Sequence, residues 1–192
     1  MRIIGGARRG LLLTEVGDGD PQAHLRPTSD RVREAIFNLL VNGGHRGPGG
    51  GNPVTGARVL DLFAGTGALG LEALSRGAAR VAFVDDGTRA RALLRANIEK
   101  MQAMGTTDVW RRDATRLGSN RGPGYDLIFL DPPYGKGLGE AALASAVDGN
   151  WLAPGAMVVW EEGTPPLPPP GFTQLDQRKY GDTIVTLLKA PQ

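Results

Sequence analysis

Val59-Leu60-Asp61-Leu62-Phe63 runs without a break into Ala64-Gly65-Thr66-Gly67-Ala68-Leu69-Gly70, and this junction decides the fold. The first five residues read as a short buried strand, and the next seven as a glycine-rich turn that opens a helix. Such a turn lets the backbone approach a ligand closely and offers it the unpaired N–H groups of the first helical turn. Gly65, Gly67 and Gly70 spell G-x-G-x-x-G, and Asp85 closes the next strand-like run, 80–84. On pattern alone this is a dinucleotide fingerprint with its ribose-binding acid. Working outward, strands at 58–63, 80–84, 108–112, 125–130 and 156–161 alternate with helices at 67–76, 88–103 and 138–147. Two extended runs, 172–178 and 183–189, have no helix between them and should pair as a hairpin. Short buried strands alternating with helices predict an α/β fold, a mostly parallel sheet with helices on both faces.

The second informative stretch is Asp131-Pro132-Pro133-Tyr134, which ends the apolar run Leu127-Ile128-Phe129-Leu130. Neither proline has an N–H for a ladder and each fixes φ near −65°, so the chain must leave the sheet there. A carboxylate, outward-pointing carbonyls of Asp131 and Pro132 and an aromatic ring then share one stiff corner. That corner suits a planar amino group; the bland alternative is a strand-ending turn. Two features separate the glycine motif from a nicotinamide site. Asp61 lies inside the strand, where its charge opposes a pyrophosphate but suits a sulfonium or an α-amino group, and hydride transfer has no use for Asp131 to Tyr134. Both favour S-adenosylmethionine.

Asp61 to Ala73 together with Asp131-Pro132-Pro133-Tyr134 resembles the S-adenosylmethionine-dependent amino methyltransferases. Arg26-Pro27-Thr28, Arg31-Val32-Arg33-Glu34-Ala35-Ile36-Phe37-Asn38, the opening Arg2-Ile3-Ile4-Gly5-Gly6 and Arg9-Gly10, and the closing Tyr180-Gly181-Asp182-Thr183 resemble one bacterial family, which methylates guanine N2 in 16S ribosomal RNA. The resemblance runs nearly end to end. It implies a class I methyltransferase (Rossmann-like) fold, with a seven-stranded sheet whose final strand is antiparallel. It also implies a small-subunit particle or assembly intermediate as substrate rather than naked RNA. Because adenine-N6 methyltransferases share the Asp-Pro-Pro-Tyr corner, adenine N6 in DNA or RNA is the alternative target. No block of sequence is large enough for a DNA target-recognition domain. A nicotinamide-dependent oxidoreductase and a catalytically silent nucleic-acid-binding module are the readings from other classes.

Ligands of such sheets sit outside the carboxyl ends of the strands, where Asp61 to Gly67, Asp85, Asp113 and Asp131 to Tyr134 all fall. The expected cofactor residues are Asp61, Phe63, Ala64, Gly65, Thr66, Gly67, Asp85 and Asp113. Asp61 and the turn would receive the methionine end and Asp85 the ribose hydroxyls, with Asp86 its rival; the family commonly has glutamate there. Asp113 would take the adenine amine or else cap a helix. Asp131, Pro132, Pro133 and Tyr134 are the expected catalytic residues: Asp131 and the Pro132 carbonyl draw the amino protons while Tyr134 stacks on the base. A base in a helix cannot reach such a pocket, so the target must be flipped out or already unpaired. No metal is needed, and His24 and His45 read as incidental.

Composition fits one compact enzyme. The chain has 192 residues, 41% of them hydrophobic, with no cysteine and a net charge of +2. Disulfides and cysteine-bound zinc are excluded, and no apolar stretch reaches the roughly 18 residues of a membrane span or resembles a signal peptide, so a cytoplasmic location is expected. Between Arg89 and Arg121 eight basic residues face three acids; Arg89, Arg91 and Arg95 read as a solvated helix face. Arg2, Arg8, Arg9, Arg26, Arg31 and Arg33 read as contacts to RNA phosphates, for which the arginine fork is suited. Residues 1–42 are expected to form a hairpin-like arm (about 1–20) and a helix from Ser29 to Leu40. Thr28 would cap that helix, with Val32, Ile36, Leu39 and Leu40 on its apolar face and Phe37 in the core. Residues 43–56 form a flexible Gly/Pro loop and 57–192 the catalytic domain; the prolines at 165–170 make a stiff surface loop.

Overall fold

The computed structural model describes residues 1–15 and 28–192. Five strands, β1 (Arg58–Leu62), β2 (Arg80–Val84), β3 (Thr107–Trp110), β4 (Tyr125–Leu130) and β5 (Leu152–Glu162), lie parallel. They are joined by β6 (Thr173–Tyr180) and β7 (Thr183–Lys189) in one seven-stranded sheet of order β3-β2-β1-β4-β5-β7-β6, with β7 antiparallel to both of its neighbours. This is the class I methyltransferase architecture. Strand alternation builds two cores. Val59, Leu127, Phe129, Met157 and Val159 face one, packed against α1 (Asp30–Asn42), α2 (Ala68–Ser75) and α3 (Thr88–Lys100). Leu60, Leu62, Ile128, Leu130, Val158 and Trp160 face the other, packed against α4 (Leu138–Asp148) and the 3₁₀ turn at Ala114–Arg116. Apolar residues at consecutive positions thus reflect burial on both faces.

The sheet strands expected from the sequence are all present; β2, β4 and β7 have the expected ends, and the others are shifted. The third strand stops at Trp110, and α3 ends at Lys100 because Gln102 turns to φ 54°. β5 starts four residues earlier than its apolar run, at Leu152. In the 43–56 loop there is no helix or strand, yet its last part is anchored, for Val54 is fully buried in the core.

The first fifteen residues form the expected arm. Ile3 N–H donates to the Leu11 carbonyl (2.9 Å) and Leu13 N–H to the Met1 carbonyl (3.0 Å), around a 3₁₀ turn at Gly6–Arg8. The rest of the expected arm, 16–20, lies outside the described residues, as do His24 and Arg26. Docking onto α2 is polar. The buried Glu72 carboxylate accepts the N–H groups of Ile4 and Gly5, each at 2.8 Å, and Arg76 Nε at 2.7 Å. Ser75 Oγ donates to the Gly5 carbonyl at 2.6 Å. A Cβ on Gly6 would stand 1.8 Å from the Ser75 carbonyl, so this contact needs glycine.

Two expectations for α1 are corrected. Ser29, not Thr28, caps the helix, its Oγ accepting Val32 N–H at 3.2 Å, because the Thr28 hydroxyl is engaged elsewhere. Arg33, expected on an RNA-facing surface, is fully buried. Its Nη2 donates to Asp30 Oδ1 (2.8 Å) and to the Arg2 carbonyl, and its Nε lies 3.7 Å from Glu72, so it ties helix, arm and α2 together and cannot meet a phosphate. Removing one partner of a buried charge pair leaves the other uncompensated. Glu72→Ala, which strands two backbone N–H groups, unpairs Arg76 and leaves Arg33 with Asp30 as its one ion-pair partner among the described residues, is therefore expected to lower stability by about 3 kcal/mol in urea denaturation. A loss under about 0.5 kcal/mol, the size of a surface change, would show that the arm is held by other means.

Candidate active site

β1 and β4 are paired neighbours with Leu62 level with Leu130, so the glycine turn and the Asp131 corner leave the sheet side by side. Phe63 makes the first bend in the left-handed region, at φ 58°, a conformation uncommon for an aromatic residue. Gly65 and Gly67 follow at φ 56° and 81°, and Gly67, the residue at the N-cap of α2, has no side chain to cap the N–H groups of Ala68 and Leu69. At Gly70 a Cβ would meet the Phe83 ring at 2.4 Å, so the third glycine lets α2 lie close against β2. Buried Asn97 on α3 fixes the turn from outside, donating to the carbonyls of Thr66 (3.0 Å) and Thr14 (3.1 Å) and accepting Thr14 N–H (2.6 Å). The arm and the turn thus share one clamp.

Two of the acids found in the sequence brace this turn. Asp61, 2% exposed, accepts Gly70 N–H at 2.9 Å. The structure therefore assigns Asp61 first to the shape of the turn. Asp85 accepts Gly65 N–H through one oxygen and Gly87 N–H through the other, both at 2.8 Å. Asp86, its rival, is exposed. Burial pushes the Asp61 carboxyl well above the ordinary range; the Gly70 N–H opposes the shift, and Asp131 and Asp85 add to it. Asp85 is raised too, mainly by burial and against the N–H groups of Gly65 and Gly87.

At the corner, Thr28 Oγ1 lies 3.0 Å from Asp131 Oδ2 and 3.4 Å from Oε1 of Glu161. Gly135 N–H donates to Glu162 Oε1 at 3.0 Å, bracing the chain just past the motif. The Tyr134 hydroxyl pairs with Thr183 Oγ1 at 3.1 Å, which fixes its ring beside Gly163. Sequence reading missed Glu161, Glu162, Thr28 as a site residue and Thr183 as a partner for Tyr134. The signal for Glu161 is the one that singled out Asp61: a carboxylate at an inward position of an apolar strand, in step with Met157 and Val159. It is 2% exposed, and burial raises its carboxyl well above the usual range, with Asp131 and Asp61 adding and Thr28 and Arg33 opposing. Asp61, Asp85 and Asp131 converge as a partly dehydrated set of carboxyl acceptors, chemistry that fits a cationic ligand, with Glu161 behind Asp131.

Asp113 is exposed just after β3, where its Oδ1 caps the following turn through Thr115 N–H (2.8 Å) and Oγ1 (2.7 Å); that hydroxyl lowers its carboxyl below the ordinary range. Arg2, Arg9 and Arg31 line a groove of ≈ 340 Å³ between the arm and α1, with Asp30 and Glu34 on the same walls. Arg8, also exposed, donates to Gln102 at 3.3 Å.

The family model described as Conserved hypothetical protein 95 matches residues 1–189. The chain is 37% identical over 172 residues to Ribosomal RNA small subunit methyltransferase D of Escherichia coli K12, spanning 88% of this chain and 79% of that one. To the Haemophilus influenzae protein of the same name it is 34% identical over 190 residues, spanning 94% and 89%. The solved structure of Escherichia coli yhhF superposes with a TM-score of 0.81 at 32% identity, covering 100% of this chain and 98% of that one.

The raised carboxyl of Asp61 means that the folded chain binds more protons than the unfolded chain, so its contribution to stability falls as pH rises through and above about 4. Asp61→Asn keeps an acceptor for Gly70 N–H and removes the buried charge. Its stability is expected to gain on the wild type between about pH 5 and pH 8 in urea denaturation, and a pH-independent difference would contradict the assignment. Asp61→Ala orphans that N–H and should lose about 1–3 kcal/mol.

Proposed function

The chain belongs to the Conserved hypothetical protein 95 family of S-adenosylmethionine-dependent rRNA methyltransferases, and from that premise we propose that it methylates the exocyclic N2 amine of a guanine in 16S rRNA within a small-subunit particle. The observation that carries the reading is the pairing of β1 with β4, which sets the Gly65–Gly67 turn beside Asp131-Pro132-Pro133-Tyr134. The names of the relatives support the RNA substrate.

When bound, S-adenosylmethionine supplies an electrophilic methyl group carried on a sulfonium. Gly65, Gly67 and the first N–H groups of α2 would hold its methionine end, Asp85 the ribose and Asp113 the adenine amine; the Asp61 charge acts on the sulfonium through the site's field. The guanine amine is a poor nucleophile, because its lone pair is delocalised into the ring. Asp131 and the Pro132 carbonyl accept its two hydrogens, favouring a pyramidal nitrogen whose lone pair faces the methyl group. Tyr134, anchored by Thr183, stacks on the extruded base. As the new N–C bond forms, the methyl group's bond to sulfur would break and leave a neutral thioether, and the amine, now cationic, would give a proton to Asp131. This is catalysis by position and preorganised charge. Arg2, Arg9 and Arg31 in their groove and Arg8 nearby contact phosphates around the target; Thr28, which touches Asp131, lies three residues from Arg31, so the groove flanks the corner.

Incubation with labelled S-adenosylmethionine and small-subunit particles from a strain lacking the activity, followed by digestion, is expected to yield labelled N2-methylguanosine, with naked 16S rRNA a poorer substrate. Labelled N6-methyladenosine would overturn the target assignment. Asp131→Ala should lower kcat by at least about 100-fold and leave cofactor affinity nearly intact, whereas Asp85→Ala should weaken that affinity about 10- to 100-fold, both read by calorimetry and single-turnover kinetics. Equal loss of cofactor binding in both variants would contradict this division of roles.

A further inference from the structure

The Asp131 corner contains a second carboxylate that the chemistry above does not use. Glu161 ends the inward-facing row Met157, Val159, Glu161 of β5, and Trp160 pairs with Leu130, so Glu161 stands level with Asp131 on the next strand. It is buried, and one hydroxyl, Thr28 Oγ1, bridges the two acids at 3.4 Å and 3.0 Å. A hydroxyl has one hydrogen to donate. With both acids ionised, it can serve only one of them, and while it serves Asp131, the nearer at 3.0 Å, the Glu161 oxygen faces its lone pair and a neighbouring negative charge inside the protein. The arrangement closes when Glu161 carries a proton: Glu161 O–H donates to Thr28 Oγ1, Thr28 O–H donates to Asp131, and each oxygen finds its complement.

We propose that Glu161 is a positioning residue for methyl transfer, acting in its neutral acid form through Thr28 to hold Asp131 ionised and oriented toward the substrate amine. This rests on the amine-methylation reading above and adds to it the origin of the Asp131 charge state. Two carboxylates sharing one site separate into one that keeps its proton and one that does not. Among the described residues, the groups that face Glu161 are Asp131 on the corner, Asp61 on β1, Thr28 ahead of α1 and Arg33 within it. Burial and the two other acids favour its protonation; the Thr28 hydroxyl, when it donates to Glu161, and Arg33, already paired with Asp30 and beside Glu72, oppose it. Asp131 is left as the group that receives the amine proton, and Glu161 keeps its own throughout, so no further proton acceptor is required.

The test compares wild type, Glu161→Ala, Glu161→Gln and Thr28→Val in single-turnover methyl transfer to small-subunit particles across pH. S-adenosylhomocysteine binding and thermal unfolding are measured on the same preparations. Glu161→Ala and Thr28→Val should each lower kcat about tenfold or more while binding S-adenosylhomocysteine as wild type does. Glutamine, which also donates to Thr28, should restore most of what alanine loses. The pH profile is the readout that packing alone would not move. Wild type should lose activity on the alkaline side as Glu161 ionises; Glu161→Gln should lack that limb and keep the acid limb set by Asp131. Titration of the RNA itself is common to both and cancels in the comparison. A glutamine variant as impaired as alanine despite intact folding and binding would mean that Glu161 must ionise, overturning the proposal. Wild-type kinetics in Glu161→Ala would overturn it as well. If wild type makes no N2-methylguanosine, the substrate reading fails first; if it does and these variants match it, only this inference fails.

Discussion

β1 and β4 are hydrogen-bonded neighbours whose chains depart to opposite faces of the sheet, β1 through the glycine turn into α2 and β4 through two prolines toward α4. Everything at the site depends on that divergence. It opens a crevice at the carboxyl ends of the central strands, and it places a backbone shaped for close approach beside a backbone that cannot continue the ladder. A proline-free end to β4 could keep pairing with β1 or β5, and the corner that presents Asp131 and the Pro132 carbonyl would close into the sheet.

The same geometry imposes an electrostatic cost. Asp61, Asp131 and Glu161 occupy inward positions at the ends of three strands that are otherwise apolar, and burial raises both Asp61 and Glu161. Backbone N–H groups offset part of that cost at Asp61 and Asp85. Arg33 brings positive charge close to Glu161 without entering the crevice, because Asp30, Glu72 and the Arg2 carbonyl fix it in place. The N-terminal arm is therefore part of the catalytic body: through Glu72, Asn97 and Arg33 it is wired to the glycine turn on one side and to α1 on the other. Its arginine-lined groove then has a fixed position relative to the corner where a base would be presented.

Much of this was legible in the sequence. Short apolar strands separated by glycine turns and helices gave β1 to β7 their order, and β2, β4 and β7 their ends, since two-sided burial leaves a run of apolar residues with sharp polar boundaries. The glycine turn and the Asp-Pro-Pro-Tyr corner could be read because their residue types restrict the backbone itself. What could not be read was long-range pairing. Arg33 looks like a surface cation by its place on α1, and only the arrival of Glu72 from α2 and the arm makes it a buried tie. Thr28 looks like a helix cap until Asp131, 103 residues away, claims its hydroxyl. Glu161 carried a usable sign, a carboxylate at an inward strand position, but the same sign at Asp61 had a glycine motif beside it to draw attention. The start of β5 at Leu152 follows from pairing with Tyr125 rather than from any apolar run.

The central claim is that one crevice brings the methyl donor to the amine held at the end of β4. The most direct measurement is a crystal structure of the protein with S-adenosylhomocysteine bound. The account predicts that the ligand's carboxylate end lies over the Gly65–Gly67 turn, its ribose beside Asp85, and its sulfur facing Asp131 and the Pro132 carbonyl across a space that admits a purine against Tyr134. A sulfur turned away from that corner, or a nucleoside filling the space in front of Tyr134, would contradict it.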